Sequence, residues 1–263
     1  MPRILFATAL LTLSLAAPAI HSQPATTNST NPTNSTNSSG AETEINPAAI
    51  QALKDMGARL QTLKRFHIST DLTGEVVLAD GQKLQHTATA EMDVQRPAKL
   101  RARMFSARAE RIVIFDGQRA TMYLPQQKYF STVDFSGDVG DLVNKLEERY
   151  GVELPLTDLF LWGTPAAPLD SINSAMNAGQ DFIGSDLCNH FAFRQGNFDW
   201  QIWISADGNL PRKLVTTNRG DDARPQSVSL IDWNLNPQFK DDIFSFVAPK
   251  GARPVELHAL EGK

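Results

Sequence analysis

Residues 84–97 read LQHTATAEMDVQRP, and their period is two. Leu84, His86, Ala88, Ala90, Met92 and Val94 fall on one side of the run. Gln85, Thr87, Thr89, Glu91, Asp93 and Gln95 fall on the other. Successive side chains of a strand point to opposite faces, so this is a long strand with one mostly apolar and one polar face. That pattern belongs to an antiparallel sheet with a core on one side. Arg96-Pro97 ends the run, because proline has no N–H to give the ladder.

Upstream, Ala79-Asp80-Gly81-Gln82 is a hairpin signal that pairs this strand with 66–78. Before that, Asn46-Pro47 is a helix start, with a capping side chain followed by proline at the first helical position. Ile50, Leu53, Met56, Leu60 and Leu63 recur at helical spacing, which predicts an amphipathic helix to about Lys64. Downstream, strands are expected at 99–106, 110–115, 119–124 and 128–133, with turns at Asp116-Gly117 and Pro125-Gln126.

Residues 137–162 interrupt the meander. Val139, Leu142, Val143, Leu146 and Tyr150 form a helical stripe that Gly151 can terminate, and Pro155 opens a short helical segment, Leu156 to Trp162. Strands resume at 175–183, 187–195, 198–205, 210–218 and 226–235, and a short one is expected at 243–247. The prediction is a mostly β protein. Its architecture is one strongly curved antiparallel sheet, or half-open barrel, of about eleven strands, with about three helices against or across the concave face.

Residues 1–22 of the 263 read as a secretory signal, with Arg3 in the basic region and Ile4 to Ala17 as the apolar stretch. Cleavage would fall after Ala17-Pro18-Ala19 or Ile20-His21-Ser22. A membrane span wants about 18 or more apolar residues, and no later stretch approaches that. Residues 23–45, rich in Thr, Asn, Ser and Pro, are expected to be a disordered tether. Residues 46–263 form one domain. Cys188 is the single cysteine, which rules out an internal disulfide and leaves no thiol after the cleavage site for a lipid anchor. The location expected is periplasmic. A formal net charge of −4, made more negative by loss of Arg3, argues against nucleic acid as a partner.

Several stretches carry a resemblance: LKDMGARLQTLKRFHIS at 53–69, VQRPAKLRARM at 94–104, FDGQRATMYLP at 115–125 and FKDDIFSFVAPKG at 239–251. In that order they resemble the LolA/LolB lipoprotein-carrier superfamily. LEERYGVELPLTDLFLWG at 146–163, DWQIWI at 199–204 and LPRKLVTT at 210–217 are similar to a family of predicted periplasmic proteins of unknown function, numbered 2092 among such domains. The first resemblance implies a half-open barrel with a helical lid over an apolar cavity. It also implies that Arg96, of the Arg-Pro pair, ties the lid to the barrel while the cavity is empty. The carriers have an aromatic-rich segment after that proline, where this chain has Ala98-Lys99-Leu100-Arg101-Ala102-Arg103. The resemblance therefore bears on an apolar-ligand role more than on lipoprotein cargo.

The candidate lining of such a cavity is Ala88, Ala90, Met92, Val94, Leu100, Met104, Phe160, Leu161, Trp162 and Trp203, with Arg96 as lid latch. Phe160, Leu161 and Trp162 either lie buried or cover a cavity. Ala88 and Ala90 leave room beside Met92 for a closely packed helix or for a void. Strand 199–204 is partly apolar on both faces. Lys99, Arg101 and Arg103 share a face, either as a basic stripe for an acidic partner or as a solvated surface. Cys188, His190, His67 and His86 show no metal-ligand spacing, and neither a catalytic motif nor a phosphate loop is present. No cofactor, metal or enzymatic activity is expected. One reading is a periplasmic binding or carrier protein for an apolar small molecule, lipid or lipoprotein. The other is a protein-interaction or envelope-sensing domain that offers the same barrel to a protein partner.

Overall fold

The computed structural model describes residues 44–152, 154–240 and 242–260; the expected signal, 1–22, and nearly all of the expected tether lie outside them. Helix α1 (Pro47–Thr62) opens the fold. The Asn46 side chain accepts hydrogen bonds from the backbone N–H of Ala48 at 2.9 Å and of Ala49 at 3.3 Å, satisfying two amides that have no partner inside the helix. Just before α1, Ile45 bridges to Ala175, and Asn46 N–H donates to the Ala175 carbonyl.

A first meander follows: β1 (Arg65–Val77), β2 (Lys83–Gln95), β3 (Lys99–Phe105), β4 (Glu110–Phe115), β5 (Arg119–Leu124) and β6 (Tyr129–Asp134). The β1–β2 hairpin closes at Leu78–Gln82, with Gly81 at a positive φ of 85° and Asp80 accepting from Gln82 N–H. Its register sets Ile68 opposite Met92 and Phe66 opposite Val94, so the apolar face found in the sequence is the inner one.

Helix α2 (Val139–Tyr150) starts at an Asp138–Asp141 capping box and ends at Gly151 in the left-handed conformation. It buries Val139, Leu142, Val143 and Leu146. The third expected helix is reduced to a 3-10 turn, Thr157–Phe160, followed by bends. A run apolar on all sides has no preferred face, and here the segment buries nearly all of its side chains instead of lying along one stripe.

The second meander is β7 (Ile172–Ile183), β8 (Asp186–Gln195), β9 (Phe198–Ser205), β10 (Pro211–Asn218) and β11 (Gln226–Asn234). Each strand pairs antiparallel with the next, and β11 pairs with β1, joining the meanders. The sheet order is β12-β6-β5-β4-β3-β2-β1-β11-β10-β9-β8-β7, where β12 (Arg253–Pro254) is a short parallel addition beside β6. The ends, β7 and β12, do not pair with one another, so the barrel is half open. The strand expected at 243–247 is absent: residues 242–244 turn and 245–247 run irregularly. This segment crosses strands whose hydrogen bonds are already used. It is held by side chains, with Phe246 against Tyr123 and Phe130, and Phe239 edge-on to Phe244.

One large core fills the concave side. Leu53, Met56 and Leu60 of α1 join Phe66, Ile68, Met92, Val94, Phe115, Trp200 and Phe193, and the last two stack at 4.1 Å. Across the sheet lies a small separate cluster of Cys188, Trp203 and Val215.

Candidate functional site: a cavity under the 155–162 segment

The inner faces of β1, β2 and β3 are filled at one end and open at the other. Toward α1 stand Phe66, Ile68, Met92, Val94 and Leu100, all buried in the main core. Farther along the same strands each pair carries one small residue: Gly74 pairs with His86, and Ala88 with Leu72. Here the sheet outruns α1 and a cavity of about 130 Å3 remains. Leu72, Ala88, Met104 and Leu214 supply apolar walls, Thr216, Ser227 and Ser229 supply hydroxyls, and Pro155, Leu156 and Asp158 line it from the covering segment. Arg108 and Arg111 stand at the side formed by the β3–β4 turn.

The cover is held by a backbone-to-backbone crossing. A Cβ placed on Gly57 of α1 would lie 2.5 Å from the Gly163 nitrogen and 2.9 Å from its Cα. Only glycine permits α1 and the segment to touch so closely. Gln61 Nε2 adds a hydrogen bond to the Trp162 carbonyl at 2.7 Å. Trp162 packs on Trp200 with centroids 6.2 Å apart. At the cavity end the segment is less comfortable. Leu156 adopts φ 57°, a left-handed conformation that costs a residue bearing a β-carbon about 1–2 kcal/mol.

Arg96 lies against the covering segment. Its guanidinium lies 5.7 Å from the centroid of the Phe160 ring, and its neighbour Pro97 accepts a hydrogen bond from Val139 N–H at the start of α2. Burial pulls the guanidinium pKa down, and the Asp138 carboxylate opposes that shift. Its Nε is buried without a hydrogen-bond partner. Lid segment and inserted helix thus meet on one dipeptide.

Asp158 is the residue whose chemistry stands out. It is 8% exposed, and its Oδ1 has no hydrogen-bond partner. Burial raises its carboxyl pKa well above the usual range, and the Glu147 carboxylate on α2 raises it further.

The sequence candidates divide three ways. Ala88 and Met104 line the cavity. Ala90, Met92, Val94, Leu100, Phe160, Leu161 and Trp162 are buried, so they form the floor and plug beside the cavity instead of its wall. Trp203 is a correction. The alternation of β9 sends Trp200, Ile202 and Ile204 inward and Trp203 to the convex face, where it stacks on His190 at 4.0 Å and donates Nε1–H to Asp181. Thr216 of β10 and Ser227 of β11 also line the cavity, and they were missed because polar side chains do not signal an inner face. Asp158 was missed as well, although it is the lone charge in LPLTDLFLW at 154–162.

The stripe of Lys99, Arg101 and Arg103 lies on the convex face and is largely neutralised. Arg101 is 3.7 Å from Asp93, and Arg103 is 2.7 Å from Glu110 and 3.7 Å from Glu91. Asp93 also accepts from His67 at 2.7 Å, which holds that imidazole's pKa above its ordinary value. Among the described residues no three His, Cys, Asp or Glu side chains are grouped to hold a metal ion. Cys188 is fully buried, and burial pushes its thiol pKa up.

Residues 49–258 match the profile of a family described as predicted periplasmic protein, DUF2092. The chain belongs to the DUF2092 family. A periplasmic location goes with that membership, and no helix of the described residues is long and apolar enough to cross a membrane. No curated protein matches the sequence. Among solved structures, an uncharacterised conserved protein from Thermus thermophilus is similar over 78% of this DUF2092 chain and 98% of its own, at 8% identity and a TM-score of 0.46. LprF from Mycobacterium bovis is similar over 80% of this chain and 99% of its own, at 10% identity and TM-score 0.41. MucB, in the Pseudomonas aeruginosa MucA/MucB complex, is similar over 76% and 62%, at 13% identity and TM-score 0.42.

Proposed function

We propose that this DUF2092 protein is a non-enzymatic periplasmic binding or carrier protein for an apolar or amphiphilic small ligand. The observation that carries the reading is the cavity itself: beneath the 155–158 cover, largely apolar walls face open space beside a filled core. Ligand pockets commonly measure about 300–1,000 Å3, so about 130 Å3 holds one end of a lipid-like molecule but not a whole acyl chain. Loading then requires residues 155–162 to swing outward, with Arg96 and the Gly57–Gly163 crossing restraining the closed position. Each Å2 of apolar surface taken from water contributes about 25 cal/mol, which sets the force for closure over a ligand.

The test is uptake of the fluorophore 1-N-phenylnaphthylamine by the protein purified from a bacterial envelope, alongside native mass spectrometry for a retained lipid. Uptake is expected, and Ala88→Trp, which fills the cavity from its wall, should reduce it at least tenfold while the circular dichroism stays unchanged. Equal uptake by wild type and variant would place binding elsewhere.

A second reading, a protein-interaction or envelope-sensing domain, has one observation in its favour. Edge strand β7 leaves Phe182 71% and Met176 55% exposed beside unpaired backbone groups, the setting in which a partner strand can add. An apo mass with no fluorophore uptake would favour it.

A further inference from the structure

We infer that the cavity takes the head end of an acidic amphiphile, a carboxylate or phosphate carried on an apolar chain, with the anion beside Arg108 and Arg111 and the chain against Leu72, Ala88 and Met104. This deepens the carrier reading and rests on it. The first observation is one of placement. Arg111 pairs across the β3–β4 ladder with Met104, and Met104 pairs with Ala90. Arg111 therefore shares the inner face of the sheet with Val113 and Phe115, which are buried in the core, and carries a guanidinium to the cavity wall. A guanidinium has five N–H donors and a carboxylate takes two of them at once, so Arg111 keeps donors for a ligand whatever else it touches.

The second observation is charge. On the convex face Arg101 and Arg103 are matched by acids, Asp93 for the one and Glu91 and Glu110 for the other. Around the cavity the balance is reversed. Among the described residues that line it, Arg108, Arg111 and the imidazole of His86 stand against a single carboxyl, Asp158. That carboxyl is more than nine-tenths buried, and burial and then Glu147 raise its pKa well above the usual range, which favours its neutral form. Arg108 is exposed at the β3–β4 turn, where its backbone N–H donates to Ser106 Oγ, and its guanidinium makes no hydrogen bond or ion pair among the described residues. Thr216, Ser227 and Ser229 on the other side are uncharged, so the positive charge of the wall is concentrated beside the turn. A neutral head gains less than an anion from a guanidinium, and a cationic head is repelled by it.

The experiment displaces bound 1-N-phenylnaphthylamine with dodecanoate, dodecan-1-ol and dodecylamine at pH 7, each kept below micelle formation, for wild type, Arg108→Gln and Arg111→Gln. The wild type should bind dodecanoate about tenfold more tightly than dodecan-1-ol, the worth of one charge-assisted hydrogen bond, and dodecylamine most weakly. Each variant should weaken dodecanoate about three- to tenfold and leave dodecan-1-ol within about twofold of the wild-type value. Arg108 is exposed on a turn, so Arg108→Gln decides the matter if Arg111→Gln does not fold. Acetate and inorganic phosphate separate an acidic head group from a free anion. At millimolar concentration neither should displace dodecanoate, and displacement by either would mark a site for small anions and overturn the inference. Dodecan-1-ol or dodecylamine binding as tightly as dodecanoate to the wild type, or an unchanged ranking in every variant that folds, overturns it too and leaves the carrier reading standing. No fluorophore uptake by the wild type overturns the carrier reading and this inference together.

Discussion

A carboxyl group in an apolar segment either has a partner or loses its proton reluctantly, and Asp158 illustrates the second case. Its folded pKa is raised by burial first and by Glu147 second. A group so shifted favours the folded state fully below its unfolded pKa of about 3.9, and that advantage is lost as pH rises through the folded value. Asp158→Asn removes the titration with little change of shape. The variant should therefore melt at a higher temperature than wild type at pH 7, with the difference shrinking toward zero near pH 4. Thermal melts across that range decide it. A difference independent of pH would show that the carboxyl ionises without penalty, and so is not shut away from water in solution.

Elements meet here through small residues as much as through large ones. Nothing in the sequence marks Gly57, between Met56 and Ala58, yet it is where α1 touches the backbone of Gly163. Gly57→Ala would add one methyl group at a point where no side chain can yield. Overpacking of this kind costs about 1–3 kcal/mol, which for a domain of this size is a fall in Tm of roughly 2–4 °C for each kcal/mol. Limited proteolysis should show cleavage at 155–164 becoming faster than in the wild type. An unchanged melt with unchanged proteolysis would mean the two elements already stand apart. The reverse lesson comes from 243–247, where alternation alone suggests a strand. Alternating side chains permit a strand, but a ladder also needs a free edge, and this segment passes over strands already paired.

Across the whole molecule, stability and function oppose one another in the same residues. Trp162 and Phe160 plug the core, and in the loading proposed above they belong to the segment that moves to admit a ligand. Trp162 is 3% exposed and packs on Trp200, so Trp162→Ala should cost about 3–5 kcal/mol in chemical denaturation if the closed state prevails in solution. A loss below about 1 kcal/mol would mean that the cover spends most of its time open. The sheet order makes this arrangement possible. Two meanders are joined through β1 and β11, and α1, α2 and Leu159, Phe160 and Trp162 pack into one core with strands of both.

Much of that was fixed before folding is considered. Period-two alternation at 84–95 determined an antiparallel sheet with one inner face. The Asn46-Pro47 start and the stripe from Val139 to Leu146 determined two helices, because capping and amphipathic spacing act over a few residues and are written in the chain order. The inner or outer fate of Trp203, the crossing at Gly57 and Gly163, and the gap beside Ala88 were decided by the tertiary structure alone. Each depends on the distance between elements remote in sequence. Alternation tells which residues share a face, but only packing tells whether the space above that face is filled.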